Sequence, residues 1–377
     1  MAKQDQLKTW IEISKSALEN NLRVLGSFFP HQAQIWAVTK SNAYGHGIFD
    51  FGKIANELEI SGFCVDSIFE AAKLRQSGVK KPILIIGSTL ANLLPQAARG
   101  QVAVSVSNWE ALEALAEIDA SEARPEFHLK VDTGMHRQGF ELGELKKVFS
   151  FIKKHDLKLR GIYSHLAAAK DPVYKSFSER QFGEFKKAIE LADGEGFGNI
   201  LKHFAATPGI LSSADYVFDL ARVGIGLYGY PPSKAWAMHL PQLENLEPVL
   251  SWHALISEIK SVRKGEYLGY DLSARVAVNS EVAILPIGYW HGIPPALGNV
   301  GEVLVNGKRA KILGKVAMDV IVIDVTGLRA KTGDEVVIIG KSGKDEINAW
   351  ELATLAETSP HEILTRLNPL IKRVIVD

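Results

Sequence analysis

Between residues 35 and 230, short apolar runs rich in β-branched residues alternate with longer segments whose apolar positions recur at helical spacing. That cadence predicts βα units around a parallel sheet, because a strand buried on both faces reads as a continuous apolar run while its covering helix is apolar on one face only. Eight runs read as strands: IWAVTK (35–40), GFCVDS (62–67), PILIIG (82–87), VAVSVS (102–107), FHLKVDT (127–133), LRGIYSHLA (159–167), ILKHFAA (200–206) and FDLARVGIGLYG (218–229). Segments such as NWEALEALAEID and ELGELKKVFSFIKKH separate them. Eight repeats favour a closed (β/α)8 barrel of the TIM type over an open doubly wound sheet. Candidate chemistry then belongs at the C-terminal ends of the strands, where the βα loops gather.

A proline-bearing stretch at 231–247 breaks the alternation. Beyond it HALISEIKSV, EVAILPIGY, EVLVNG, VIVIDVT and EVVIIG are separated by turn residues, which predicts a mostly antiparallel β domain with one late helix, INAWELATLAET. The expected organisation is a barrel over 1–240 and a β-rich domain over 241–377, with 8–14 as a candidate strand joining the second domain.

A chain of 377 residues with 46% apolar and 23% charged residues suits two folded cores. Lys plus Arg and Asp plus Glu both total 43, so no net field favours nucleic acid or an anionic membrane, and a small-molecule role gains weight. The N-terminus lacks the basic start and apolar stretch of a signal peptide, and no apolar run reaches about 18 residues, so a cytoplasmic protein is expected. The single cysteine, Cys64, excludes an intrachain disulfide and a Cys-based zinc site; its setting in SGFCV predicts a buried small side chain.

The first run leads into AVTKSNAYGHG (37–47), which sets Lys40 at the strand end beside Tyr44 and two glycines. Burial lowers a lysine pKa, and a neutral amine can form a Schiff base with a carbonyl cofactor such as pyridoxal phosphate. A lysine pointing to water is the ordinary alternative. In LKVDTGMHRQGF the fifth run delivers Lys130 and Asp132 to a glycine turn followed by His136 and Arg137, a cluster that by itself reads as a structural ion pair. The sixth run carries His165, and the seventh and eighth supply His203, Thr207, Arg222, Gly224 and Ile225; buried strand histidines are usually satisfied core residues. In the second domain Tyr270 precedes Tyr289 by nineteen residues, and a lone strand tyrosine is normally packing.

AVTKSNAYGHG closely resembles the cofactor-lysine motif of alanine racemases, Ala-Val-x-Lys-x-Asn-Ala-Tyr-Gly-His-Gly, and further blocks follow in family order over nearly the whole chain. The chain resembles that family of fold-type III pyridoxal 5'-phosphate enzymes, which join an N-terminal barrel to a C-terminal β domain. The resemblance implies pyridoxal phosphate on Lys40, with Tyr44, Thr207 and the backbone amides of Gly224 and Ile225 at its phosphate. It sets Arg222 against the pyridine nitrogen with His203 behind it, His165 near the cofactor, and Arg137 at the phenolic oxygen and substrate carboxylate. Lys130 matches a lysine that many members carry carbamylated. An arginine keeps its proton, so the ring nitrogen stays unprotonated and racemisation demands two well-placed bases. Lys40 would act on the D-antipode and Tyr270 on the L-antipode. The Met318 backbone amide would bind the substrate carboxylate and Tyr289 would line the substrate site. Tyr270 and Met318 would reach the other subunit's cofactor, which makes the active unit a homodimer.

The implied activity is interconversion of L- and D-alanine, supplying D-alanine for peptidoglycan. Neither a metal, a nucleic acid nor a membrane is expected as a partner. The chain departs from the family pattern at His136, where glycine is usual, at Trp290 and His291 in place of Ala-Asp, and at Pro369 in place of a tyrosine. The last three positions resemble the substrate corridor. A racemase of larger amino acids such as serine or lysine, or a non-catalytic pyridoxal-phosphate-binding protein, are the alternatives.

Overall fold

A computed structural model describes residues 7–30, 33–119 and 121–377. The chain divides into two compact units. One spans 17–43 and 51–247; the other gathers the described residues up to Ser16 (7–16), Tyr44–Asp50 and Pro248–Asp377.

The first strand, β1 (Thr9–Ser14), belongs to the second of these units. The expected barrel follows as eight parallel strands in sequence order: β2 (Gln34–Val38), β3 (Gly62–Val65), β4 (Ile83–Ile85), β5 (Ala103–Val106), β6 (Phe127–Lys130), β7 (Leu159–Tyr163), β8 (Leu201–His203) and β9 (Leu220–Val223), with β9 beside β2. The ring is nearly closed between β8 and β9, where the Arg222 amide donates to the Ala205 carbonyl (3.0 Å) and the Asp219 amide to Lys202 (3.1 Å).

Large and absent side chains alternate around the interior, as close packing of a barrel requires. A Cβ on Gly62 would lie 2.5 Å from the Trp36 indole, and one on Gly161 only 2.4 Å from Nδ1 of His128. The run 218–229 is strand only over Leu220–Val223. From Gly224 onward the chain turns, with Leu227 N–H on the Gly224 carbonyl (2.8 Å) and Gly229 at φ +89°.

The second unit is a mostly antiparallel sheet. Its strands are β10 (Leu250–Leu255), β11 (Glu258–Val262), β12 (Tyr267–Leu268), β13 (Ala274–Arg275), β14 (Ser280–Leu285), β15 (Glu302–Val305), β16 (Lys308–Leu313), β17 (Ile321–Asp324), β18 (Glu335–Ser342), β19 (Asp345–Ile347) and β20 (Lys372–Val376). The main order is β11-β14-β17-β16-β15-β18-β10-β1-β20, in which β1 pairs antiparallel with β10 and parallel with β20. The late helix spans Ala349–Leu355, and an unforeseen second helix, Pro360–Thr365, follows behind a Ser359 cap and a proline at its first position. Among the described residues no helix is long and apolar enough to cross a membrane.

Candidate active site

Strand β2 ends at Val38, two residues before Lys40, and the chain then enters a turn no strand pattern could announce. Ser41, Asn42, Ala43 and Tyr44 all take left-handed φ, between 50° and 57°. Such residues cost about 1 to 3 kcal/mol each and persist only where their surroundings hold them. Ala43 N–H reaches the Thr39 carbonyl (2.8 Å) and Asn42 N–H the Glu70 carboxylate (3.1 Å). The turn leaves Lys40 half-buried at the C-terminal mouth of the barrel.

Arg222 organises the centre of that mouth. It is 3% exposed, and both of its Nη groups are engaged. Nη1 meets Nδ1 of His203 at 2.6 Å, and Nη2 donates to the carbonyls of Ser164 (2.7 Å) and Phe204 (3.2 Å) and approaches Nδ1 of His165 at 3.3 Å. The His203 ring stacks on Tyr163, centroids 4.8 Å apart, while the Tyr163 hydroxyl donates to Ser105 (2.8 Å). Because Arg222 always donates, Nδ1 of His203 must accept. Its Nε2 therefore carries the proton and donates to Nδ1 of His128 at 2.7 Å. Burial first, and the Arg222 cation second, push His128 and His165 down to about 3 and His203 well below the ordinary range. All three rings are neutral, so the cation of the centre is Arg222.

His128 was absent from the sequence expectations. The one signal was its place two residues before Lys130, which puts both side chains on the same face of β6. Gln181, also unforeseen, joins Thr133 (3.3 Å) and the His165 carbonyl (3.2 Å) from the helix Lys175–Gly194.

The turn after β6 corrects the expected ion pair. Oδ1 of Asp132 accepts the amides of Gly134 (2.8 Å), Met135 (2.9 Å) and His136 (3.1 Å), so this carboxylate staples the turn rather than pairing with Arg137. His136 has φ +53°, which accounts for glycine being usual there, and its side chain stands in solvent. Among the described residues Arg137 makes no hydrogen bond or ion pair, and it is exposed. Lys130 donates to Oε1 of Gln138 (3.0 Å). Burial, then the neighbouring Arg137 and Arg222 cations, lower its pKa to about 8 against the opposing Asp132. Lys40, Lys130, Arg137 and Arg222 together make a positive mouth suited to an anionic ligand.

Thr207 opens the helix Thr207–Ser212 after β8, and its hydroxyl accepts the Gly224 amide at 3.1 Å. A Cβ on Gly226 would press on the Thr207 methyl at 2.8 Å, so the turn carrying Gly224 and Ile225 lies close against it. Cys64 is buried, and burial pushes its thiol up to about 12.

The remaining candidates belong to the second unit, as does Tyr44. Tyr270 follows Gly269 (φ +70°) and is 71% exposed; its neighbour Asp271 pairs with Lys315 at 2.5 Å. Tyr289 and Trp290 donate their amides to the carbonyls of Ala317 (2.9 Å) and Met318 (3.0 Å), which brings Tyr289, Trp290 and Met318 together, all with exposed side chains. Asn368, beside Pro369, donates to the Trp290 carbonyl (2.9 Å). His291 does not line this surface. It is buried, and its Nδ1 accepts the Gly288 amide at 3.2 Å.

The alanine racemase N-terminal domain model matches residues 13–232, and the alanine racemase C-terminal domain model matches 249–375. The chain belongs to the alanine racemase family. An alanine racemase of Leptospira interrogans is 35% identical, covering 99% of this chain and 97% of its own. The crystal structure of a Bacillus anthracis alanine racemase with bound L-Ala-P superposes with a TM-score of 0.92 at 32% identity, over 98% of this chain and 95% of that one. A histidine racemase from Leuconostoc mesenteroides superposes with a TM-score of 0.88 at 27% identity, over 99% of each chain. Family membership makes the chain an isomerase.

Proposed function

We propose that this enzyme interconverts L- and D-alanine by a two-base mechanism, with pyridoxal phosphate held in the barrel mouth and each site completed across a homodimer. The observation that carries the reading is the Arg222 fork. A charged guanidinium locked by His203 and two backbone carbonyls offers a donor that cannot leave, which matches an unprotonated pyridine nitrogen. The rest of the donor set fits the same group. Lys40 would supply the amine that carries it, and Arg137, which has no hydrogen-bond or ion-pair partner among the described residues, would be free for its phenolic oxygen or for a substrate carboxylate. Thr207, Gly224, Ile225 and Tyr44 would hold its phosphate, His203 supports Arg222 from behind, and His165 stands beside it. Lys130, with a pKa near 8, is the amine open to carbamylation.

When bound, the cofactor draws electron density away from Cα and makes its proton removable. The chain's own groups decide the stereochemistry. Lys40 Nζ exchanges a proton at one face of Cα and the Tyr270 hydroxyl at the other, Lys40 serving the D-antipode and Tyr270 the L-antipode. The Met318 amide and Arg137 hold the substrate carboxylate so that Cα stays fixed while the proton changes sides, and Tyr289 lines the substrate site. Tyr270 and Met318 come from the partner subunit in this reading, in keeping with the exposure of both side chains, 71% and 53%. The product would serve peptidoglycan synthesis in the cytoplasm.

Larger amino acids form the second reading, favoured by Pro369 in place of the corridor tyrosine and by a histidine racemase sharing the fold. A chiral panel of alanine, serine, lysine and histidine separates the two. Alanine should have the highest kcat/KM; serine, lysine or histidine equal to it would overturn the alanine assignment alone.

A further inference from the structure

The motif AVTKSNAYGHG divides after Ala43, and its second half, Tyr44-Gly45-His46-Gly47, packs within the C-terminal unit. Two glycines are required there. Gly45 has φ +83° and an added Cβ would stand 1.9 Å from the Leu364 carbonyl oxygen, in the helix Pro360–Thr365; Gly47 has φ +90° and a Cβ would press on the Arg373 side chain at 3.2 Å. Arg373 comes from β20, is 5% exposed, and ends on three backbone carbonyls. Nη2 donates to Gly45 (2.7 Å), and Nη1 donates to Asn368 and Ile371 (both 2.6 Å).

Among the described residues no carboxylate lies in contact with this guanidinium, and its Nε is buried without an acceptor. Burial lowers its pKa to about 10, with Asp50 the charge acting in the other direction. A buried cation without a paired anion is costly, and an apolar side chain would fill the same space with less loss if packing were the only task. What an apolar residue cannot do is hold the Gly45 carbonyl and the 368–371 turn at once. The two Nη groups diverge from a rigid plane, which a lysine ammonium cannot reproduce.

We infer that Arg373 is a positioning residue for the cofactor motif: its bond to the Gly45 carbonyl ties loop 44–47 to the C-terminal strand and thereby sets the Tyr44 hydroxyl. The Tyr44 ring lies 5.9 Å from His361, on the same helix that receives Gly45, so one short C-terminal segment frames the whole loop. The loop-fixing half of this inference stands on the contacts alone. The step to cofactor binding rests on the proposed role of Tyr44 at the phosphate.

Hydrogen exchange read by mass spectrometry on the full-length protein, with and without pyridoxal phosphate, tests the first half. In Arg373→Lys, and in Arg373→Met, amides in a peptide spanning 41–50 should exchange about tenfold faster or more while barrel peptides such as 103–118 do not change. Unchanged exchange at 41–50 in both variants, with only a lower melting temperature, would overturn the inference and leave Arg373 a core filler. Dissociation constants for pyridoxal phosphate in Tyr44→Phe, Arg373→Lys and the double variant test the second half. If Arg373 acts through Tyr44, the double variant binds no more weakly than the weaker single one; multiplying losses refute that route. Unaltered binding in Tyr44→Phe alongside faster exchange in Arg373→Lys would instead refute the role of Tyr44 and support Arg373 as the anchor of the loop.

Discussion

Mild acid should destabilise the protein through the neutral imidazoles of the barrel mouth, two buried and one partly buried, before most carboxylates begin to titrate. His128 and His165 are held near 3 and His203 lower than 6.5 by burial and by the Arg222 charge. The unfolded chain returns each of them to about 6.5. A histidine depressed in the folded state contributes fully above pH 6.5, and its contribution is lost as the pH falls towards 3, because the unfolded chain takes up protons that the folded barrel refuses. Between pH 7 and 5.5 each imidazole kept neutral costs the folded state about 1.2 kcal/mol, and the three together about 4 kcal/mol. The geometry blocks an easy escape. Protonating His203 would turn Nδ1 into a donor facing the Arg222 donor at 2.6 Å, and protonating His128 would set a donor against Nε2–H of His203 at 2.7 Å. Guanidinium unfolding of the cofactor-free protein at pH 7 and 5.5, with proton uptake on unfolding measured at pH 6, reads the effect. His128→Asn keeps an acceptor near the Nδ1 position and removes one titration, so its loss over the same interval should be smaller by about 1.2 kcal/mol. Equal losses in the wild-type and variant proteins, or equal proton uptake, would refute the assignment of a neutral imidazole pair behind Arg222.

Tyr270→Phe should make proton exchange one-sided in deuterated water: D-alanine keeps exchanging its Cα proton through Lys40 while exchange from L-alanine falls by about 10²- to 10⁴-fold, and equal losses would sink the two-base scheme. Mixing inactive Lys40→Ala and Tyr270→Phe chains should restore activity to about a quarter of wild type, since random pairing gives half mixed dimers with one intact site each; no recovery after confirmed subunit exchange would show that the site is not shared. Serine should turn over more slowly than alanine, with a kcat/KM lower by about 5- to 200-fold, the range of a pocket difference of one small group; parity measured in a chiral assay would reject the alanine preference.

The barrel was legible because eight buried strands must read as apolar runs whatever they enclose, and the candidate residues of the barrel were legible because they sit where those runs end. Contacts between distant strands left fainter traces. The closeness of His203 and Arg222 could be anticipated from adjacent strands, but the third ring, His128, lies in a four-residue strand whose pattern gives no hint that Nδ1 meets another histidine. Asp132 looked like an ion-pair partner because charge is visible in a sequence and turn amides are not. Strand β16 was hidden by its composition: KRAKIL carries three basic residues and buries only Ala310 and Ile312. The grouping of Tyr44–Asp50 with the second unit was invisible for a stronger reason, since its partners there include Arg373, 328 residues from Gly45 along the chain.

The most direct test of the central claim is to load the protein with pyridoxal phosphate, reduce it with borohydride, locate the modified lysine by peptide mass mapping, and assay an unreduced portion with L-alanine by chiral chromatography. The cofactor should be found on Lys40, with D-alanine accumulating to an equilibrium near one to one and Lys40→Ala abolishing both results. Modification of Lys130 or another lysine instead of Lys40, or a loaded protein that leaves L-alanine unconverted, would contradict the account.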